Sequence, residues 1–246
     1  MRPLPLLIVT GMAFEARIAR GHASAHRTGR GNENIEVVYA ARADRLTQQL
    51  NDALMRGVSG VLSFGTAGGL APDLSPGSLI VAGAVDGPEG RMMTDAQWSA
   101  RLVDALAASP VASNLWQGSL ASVTTPVASA QAKATLFGAT GALAVDMESY
   151  LAATAAARYH VPFAACRAVV DPAWRSLPTA ALAGLRDDGT TSVWPVLREL
   201  ARHPGQLRAL LQVATDARAA RAALVNARGA LISTPAQHDA RDWVRL

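Results

Sequence analysis

The chain has 246 residues, half of them hydrophobic and 17% charged, with a formal net charge of +4 and a pI near 10. That apolar content excludes a disordered chain and suits one sizeable core, read as one α/β domain. No charge-free apolar run reaches the ~18 residues of a membrane helix, and the arginines are scattered without the aromatic interleaving of a nucleic-acid surface.

The N-terminal run "PLPLLIVT" is apolar, short and without a small-residue cleavage site, so it reads as a first strand over 4–10 rather than a signal peptide. A helix over 14–20, a strand over 35–40 and a helix over 44–56 follow. Strands over 60–64 and 79–84 flank a glycine-rich stretch, and "GAVDGPEGR" (83–91), with three glycines and a proline, reads as a mobile loop. Next come helices over 95–108 and 130–138, strands over 120–124 and 142–145, a helix over 148–159 and a strand over 163–170. Such alternation predicts an α/β sandwich with a largely parallel sheet, covered on both faces.

The last two helices, 191–202 and 205–228, are broken at Pro204-Gly205. Leu207, Leu210, Leu211, Ala214 and Ala217 make one apolar stripe, with Arg208, Arg218, Arg221 and Arg228 mostly off it. The bland reading is a packing helix with a solvated basic face. The sharper reading is a partly exposed amphipathic surface for a lipid-like substrate or a membrane face. From about Pro235 the chain is polar and is expected to be a flexible tail.

Cys166 is the only cysteine. It cannot form an intrachain disulfide, which fits a reducing, cytoplasmic compartment, and inside a strand it reads as a small buried hydrophobe rather than a nucleophile. The five histidines (His22, His26, His160, His203, His238) show no ligand spacing, so no metal site is expected. A serine hydrolase fits poorly, because no G-x-S-x-G elbow is present.

Three stretches carry candidate chemistry. In "SFGTAGGLAPDLSPGSLIVA" (63–82) a strand runs into Gly65-Thr66-Ala67-Gly68-Gly69, where adjacent glycines let backbone approach a ligand. The GxxGG spacing is not the dinucleotide fingerprint, and a tight turn between strands explains it equally well. In "VTGMAFEARIAR", Glu15 lies just past the first strand, where a plain helix-N-terminal acid is also expected. In "AVDMESYLAATAAARYHVPFAACRAVVDPAW" (144–174), Asp146, Glu148 and Asp171 interrupt an apolar flow, which is costly unless something pairs with them. Glu15, Thr66, Glu148 and Asp171 all fall at the carboxyl ends of strands, where open α/β sheets bind ligands.

The motifs "SFGTAGGLAPDLSPGSLIVA", "AVDMES" and "CRAVVD" together resemble the purine nucleoside phosphorylase and methylthioadenosine/S-adenosylhomocysteine nucleosidase superfamily, in order across most of residues 4–172. The resemblance implies a three-layer α/β/α fold with a central mixed sheet, usually as a homodimer or higher oligomer. It implies cleavage of an N-glycosidic bond with release of a purine base. No cofactor is implied, phosphate being a co-substrate only for a phosphorylase, and the partner is a small-molecule nucleoside rather than nucleic acid. Carried over by position, Glu148 would bind the ribose 2′- and 3′-hydroxyls, with Met147 packed near the sugar. Asp171 would protonate the purine at N7, and Glu15 would activate water. Thr66, Ala67 and Gly68 would line the nucleophile site, and Pro126-Val127 would face the adenine. Asp146 is expected to be structural.

Two departures stand out. Ser63 occupies a place where phosphorylases of the superfamily carry a phosphate-binding arginine, which favours water as nucleophile unless Arg17 or Arg91 substitutes. Val170 stands where the nucleosidases have a hydroxyl beside the acid. The segment 174–228, taken as a helical extension of a domain over 1–234 with the tail at 235–246, and the altered loop from Gly83 resemble the hopanoid-biosynthesis-associated branch. That branch removes adenine from adenosylhopane, a nucleoside on a pentacyclic lipid, leaving a ribosyl or phosphoribosyl hopane. Trp174, Leu177, Trp194 and the C-terminal helices would supply an apolar mouth, and the basic surface peripheral contact with the inner membrane face. The competing expectations are a methylthioadenosine/S-adenosylhomocysteine nucleosidase and a non-catalytic nucleoside-binding protein on the same fold.

Overall fold

The computed structural model describes residues 3–21, 34–40, 42–179, 181 and 193–236. Strands β1 (Leu6–Thr10), β2 (Ile35–Tyr39), β3 (Gly60–Gly69), β4 (Leu79–Gly87), β5 (Gly90–Met93), β6 (Leu115–Ser122), β7 (Ala144–Asp146) and β8 (Phe163–Asp171) form one eight-stranded sheet. Helices α1 (Ala13–Arg20), α2 (Ala43–Arg56), α3 (Ala96–Ala107), α4 (Ala130–Thr140), α5 (Ser149–Arg158), α6 (Val193–Arg202) and α7 (Leu207–Ile232) alternate with the strands or follow them.

The sheet is mixed, as the resemblance implies, and less parallel than the alternation alone suggests. β1 runs parallel to β2 and β3, β3 to β8, and β6 to β4 and β7. β3–β7, β4–β5 and β4–β8 are antiparallel. Moreover, β3, β7, β6, β4 and β8 pair in turn back to β3, closing part of the sheet into a ring. Closure needs strands that bend. Register shifts at Ala67/Gly68 on the β3–β8 pair and at Ala82/Ala84 on the β4–β6 pair supply the bends.

Alternate residues of β1 and β3 enter two cores. Leu7, Val9 and Val61 pack with Leu46, Leu50 and Leu54 of α2 and Ala152 and Ala156 of α5. Leu6, Ile8, Leu62 and Phe64 pack on the other side with Ile18 of α1, Trp98, Leu102 and Leu106 of α3, and Ala220, Leu224 and Leu231 of α7. These are the three layers of the α/β/α expectation, each sheet face covered because the strands are apolar on both.

Three local expectations change. β3 continues through the glycine stretch to Gly69 instead of ending at 64. The segment 83–91 is a hairpin rather than a loop: Gly87 pairs with Gly90 across Pro88-Glu89, Gly90 takes φ +126 at the turn, and Asp86 lies 3.3 Å from Arg91 across the strands. β6 begins at Leu115, where "LWQGS" hides an edge-like strand from a hydrophobicity count. At the C-terminal end, Leu207 and Leu211 of the expected apolar stripe are exposed; α7 instead buries Ala220, Ala223, Leu224, Ala227 and Leu231. Arg228 does not join a solvated face, since its Nε donates to the Ala19 carbonyl at 2.9 Å. Trp98 Nε1 donates to the Thr234 carbonyl at 2.8 Å, and Ala236 packs with the same core; the rest of the expected tail lies outside the described residues. No helix among the described residues is long and apolar enough to cross a membrane.

Candidate active site

β1 ends at Thr10, and the chain turns through Gly11-Met12 into α1. Glu15, in the first turn, reaches back as a capping-box carboxylate: its Oε2 accepts from the Gly11 and Met12 amides at 3.1 and 3.0 Å. Its Oε1 accepts from the Thr66 amide at 2.8 Å and the Thr66 hydroxyl at 2.6 Å. Four donors thus fill the four lone-pair directions of a carboxylate that is only 1% exposed.

β7 delivers Asp146, Met147 and Glu148 to the same rim. Asp146 is structural in the expected sense: it caps α5 by accepting from the Ser149 amide at 3.2 Å and from the Ser149 hydroxyl. Glu148 leans over Gly11, whose missing Cβ would otherwise collide with the Glu148 carboxyl.

Beneath these acids lies a residue that sequence reasoning missed. Arg167, from the middle of β8, is completely buried. Its Nε is 2.8 Å from Asp146 and its Nη2 3.3 Å from Glu148. Nη2 also donates to the Ser63 hydroxyl at 2.7 Å, and Ser63 and Ser149 share a hydrogen bond of 2.9 Å. A Cβ at position 65 would lie 2.7 Å from both Arg167 Nη1 and Glu15 Oε2, so Gly65 lets these two groups meet. Burial works against the Arg167 charge, but Asp146, Glu148 and Glu15 together outweigh it and hold the guanidinium firmly protonated. Glu148 is pushed up to about 7, chiefly by burial, with Arg167 opposing and Asp146 and Glu15 assisting. The available signal was the lone guanidinium in "FAACRAVVD", since a charge inside a buried strand must be paired. Next to it, burial pushes the Cys166 thiol up to about 12, which suits the expected inert role.

Asp171 ends β8. Ala67 faces Val169 but Gly68 faces Asp171, so Val170 is a bulge that re-aims the carboxyl. Lys133 of α4 ion-pairs with Asp171 Oδ2 and also donates to the carbonyls of Pro172 at 2.9 Å and Arg175 at 3.0 Å. Burial raises Asp171 above the ordinary carboxylate range, with Lys133 opposing.

Glu15, Thr66, Ala67, Gly68, Val127, Met147, Glu148 and Asp171 all line one cavity of about 380 Å³. Gly11, Met12, Phe14, Val123, Pro126, Val145, Asp146 and Val170 complete the described part of its inner wall, and Leu177, Ala181, Val213 and Ala217 its outer flank. Arg17 and Arg91 are exposed and do not line this cavity, and Ser63 accepts a hydrogen bond from Arg167. Of the residues expected at an apolar mouth, Leu177 lines the cavity, Trp174 is 57% exposed and does not, and the Trp194 side chain lies outside the described residues. No cluster of metal-ligating side chains occurs among the described residues.

The phosphorylase superfamily matches residues 8–181, which carry the whole inner wall of this cavity. The chain belongs to the phosphorylase superfamily. With that membership stands the expectation of an enzyme of the nucleosidase or phosphorylase kind. Among solved superfamily structures, the 5′-methylthioadenosine/S-adenosylhomocysteine nucleosidase of Neisseria meningitidis, in complex with methylthio-immucillin-A, is 16% identical with a TM-score of 0.66, covering 94% of this chain and 98% of that one. The corresponding Helicobacter pylori nucleosidase with butyl-thio-DADMe-Immucillin-A is 19% identical, TM-score 0.62, covering 95% and 98%. A futalosine hydrolase mutant of Helicobacter pylori is 20% identical, TM-score 0.57, covering 68% and 88%. No curated protein matches. At these identities the likeness is one of fold.

Proposed function

We propose that this protein hydrolyses the N-glycosidic bond of an adenine nucleoside bearing a large apolar 5′ substituent, adenosylhopane in the hopanoid reading, and releases adenine and a ribosyl hopane. One observation carries this: Glu15, Thr66, Glu148 and Asp171 converge on one cavity to which Leu177, Ala181, Val213 and Ala217 add aliphatic side chains.

The chemistry follows from the donor set. The C1′–N9 bond breaks with its electron pair passing to the purine, which takes a proton at N7 from Asp171. The ribosyl centre left behind is cationic, and Glu148, once ionised, both accepts the 2′- and 3′-hydroxyls and lies close to that charge. Water attacks C1′ and gives its proton to Glu15, for which the Thr66 hydroxyl must turn away from Oε1. Water rather than phosphate is supported by charge: the described cavity wall holds four carboxylates and no arginine or lysine, and a phosphate dianion needs cationic donors. Trp174, Leu207 and Leu211, all more than half exposed, are candidates for contact with the membrane in which such a lipid resides.

A methylthioadenosine/S-adenosylhomocysteine nucleosidase is the second reading, favoured by the near-complete alignment with the Neisseria enzyme. Adenine release from adenosylhopane and from methylthioadenosine, each with and without phosphate, tests both. Release from adenosylhopane without phosphate is expected. Strict phosphate dependence overturns the hydrolytic step, release only from methylthioadenosine overturns the lipid substrate, and none from either overturns both readings and leaves another nucleoside or a binding protein.

A further inference from the structure

Lys133 is the only lysine of the chain and the only buried residue of α4. A lysine with none of its surface exposed is costly unless fully paired. Here it is: its three ammonium protons meet three acceptors, Asp171 Oδ2 and the carbonyls of Pro172 and Arg175. The three acceptors span the end of β8 and the segment after it, so this group ties α4 to the acid end of the cavity, beside the Ala130 amide that donates to Ser176 Oγ at 3.0 Å and the packing of Leu136 and Phe137 near Val145. Among the described residues nothing donates to Asp171 Oδ1, which lies 3.4 Å from where a Gly68 Cβ would be, at the cavity wall. The other charged groups facing the pair are Arg175 and its partner Asp216 of α7.

We propose that Lys133 is a positioning residue for base departure: it occupies Oδ2 of Asp171, leaves Oδ1 as the oxygen that serves the purine, and pairs the carboxylate that remains once the proton has gone to N7. The step balances. Asp171 gives one proton from Oδ1 to the purine, the C1′–N9 electrons go to the base, and Asp171⁻ with Lys133⁺ is a neutral pair until solvent reprotonates the acid. Without Lys133 the same transfer leaves a buried anion with only Arg175 facing it, a less stable conjugate base and therefore a weaker acid. This rests on the proposed nucleosidase activity.

The test compares two leaving groups in wild type, Lys133→Met and Lys133→Arg. One is the adenine nucleoside; the other is the 4-nitrophenyl riboside, whose phenolate departs without a proton. In Lys133→Met, kcat for the adenine nucleoside should fall on the order of 10²-fold or more with KM little changed, while the aryl riboside is cleaved at the wild-type rate. The basic limb of its pH profile should move to higher pH, because removing a cation raises the pKa of Asp171. Lys133→Arg, which keeps the charge, should recover part of the loss and covers the case in which Lys133→Met does not fold. Equal losses on both substrates, or no loss on the adenine nucleoside, overturn the role of Lys133. Wild type that releases no adenine from any nucleoside removes the activity itself, a distinguishable failure.

Discussion

The guanidinium of Arg167 lies 3.3 Å from the carboxylate of Glu148 and 2.8 Å from that of Asp146, with no surface exposed to water. This cation offsets Asp146 and Glu148, as Lys133 offsets Asp171. Arg167→Met should therefore cost about 3–5 kcal/mol, the usual penalty for leaving a buried partner charge unpaired. Urea denaturation checks it; a loss under about 1 kcal/mol would show that the acids are neutralised by other means.

Glu148 is expected to link stability to pH. Its carboxyl is pushed from 4.5 up to about 7, chiefly by burial. Between those values the folded state binds the proton that the unfolded state has lost, so stability falls as pH rises through 4.5–7 and the full penalty stands above about 7. Glu148→Gln removes the penalty. It should be more stable than wild type at pH 8 by on the order of 2–3 kcal/mol, indistinguishable at pH 4, and poor in sugar binding throughout. Thermal melts across that range decide it: a Gln variant less stable at pH 8 contradicts the raised value.

Catalysis should separate from binding at two positions. Asp171→Asn and Glu15→Gln are each expected to lower kcat by about 10²–10⁴-fold while a substrate analogue still binds. Turnover by Asp171→Asn at the wild-type rate would remove the acid assignment. For Glu15 the competing capping role predicts a lowered melting temperature as well, since the Gly11, Met12 and Thr66 amides lose carboxyl acceptors.

Gly11→Ala tests the packing of backbone against Glu148. A methyl at Gly11 would collide with the Glu148 carboxyl. The carboxyl must swing away, so KM should rise on the order of 10-fold or more with a modest change in stability, a displacement by about 1 Å being enough for such losses. A variant with unchanged KM would place sugar recognition elsewhere.

α7 should respond oppositely at two leucines. Leu224 has no exposed surface, and Leu224→Ala should cost about 2–5 kcal/mol. Leu211 is 61% exposed, and Leu211→Glu should change stability by less than about 0.5 kcal/mol while weakening sedimentation with anionic vesicles. Full vesicle binding by that variant would set aside the membrane role of this face.

Much was legible before any coordinates. Helix periodicity and apolar runs placed most elements, because a strand covered on both faces, such as β1, leaves an uninterrupted apolar stretch. The hairpin at Gly87–Gly90 was not, because glycine and proline mark a turn and a loop alike until cross-strand pairing selects one. The outer half of α7 misled for a related reason: Leu207 and Leu211 have the spacing of a packing stripe, but both are more than half exposed.

The sequence by itself determined the α/β class, the family resemblance and the list of rim carboxylates, since strand ends and charge interruptions are local properties of the chain. Only the tertiary structure decided what neutralises those carboxylates. Arg167 lies 19 residues from Glu148, and Lys133 lies 38 from Asp171. Each becomes a partner only when the ring of β3, β7, β6, β4 and β8 closes and the bulge at Val170 turns Asp171 toward α4. Electrostatic pairing depends on distance in space and on burial, and neither is encoded in spacing along a chain.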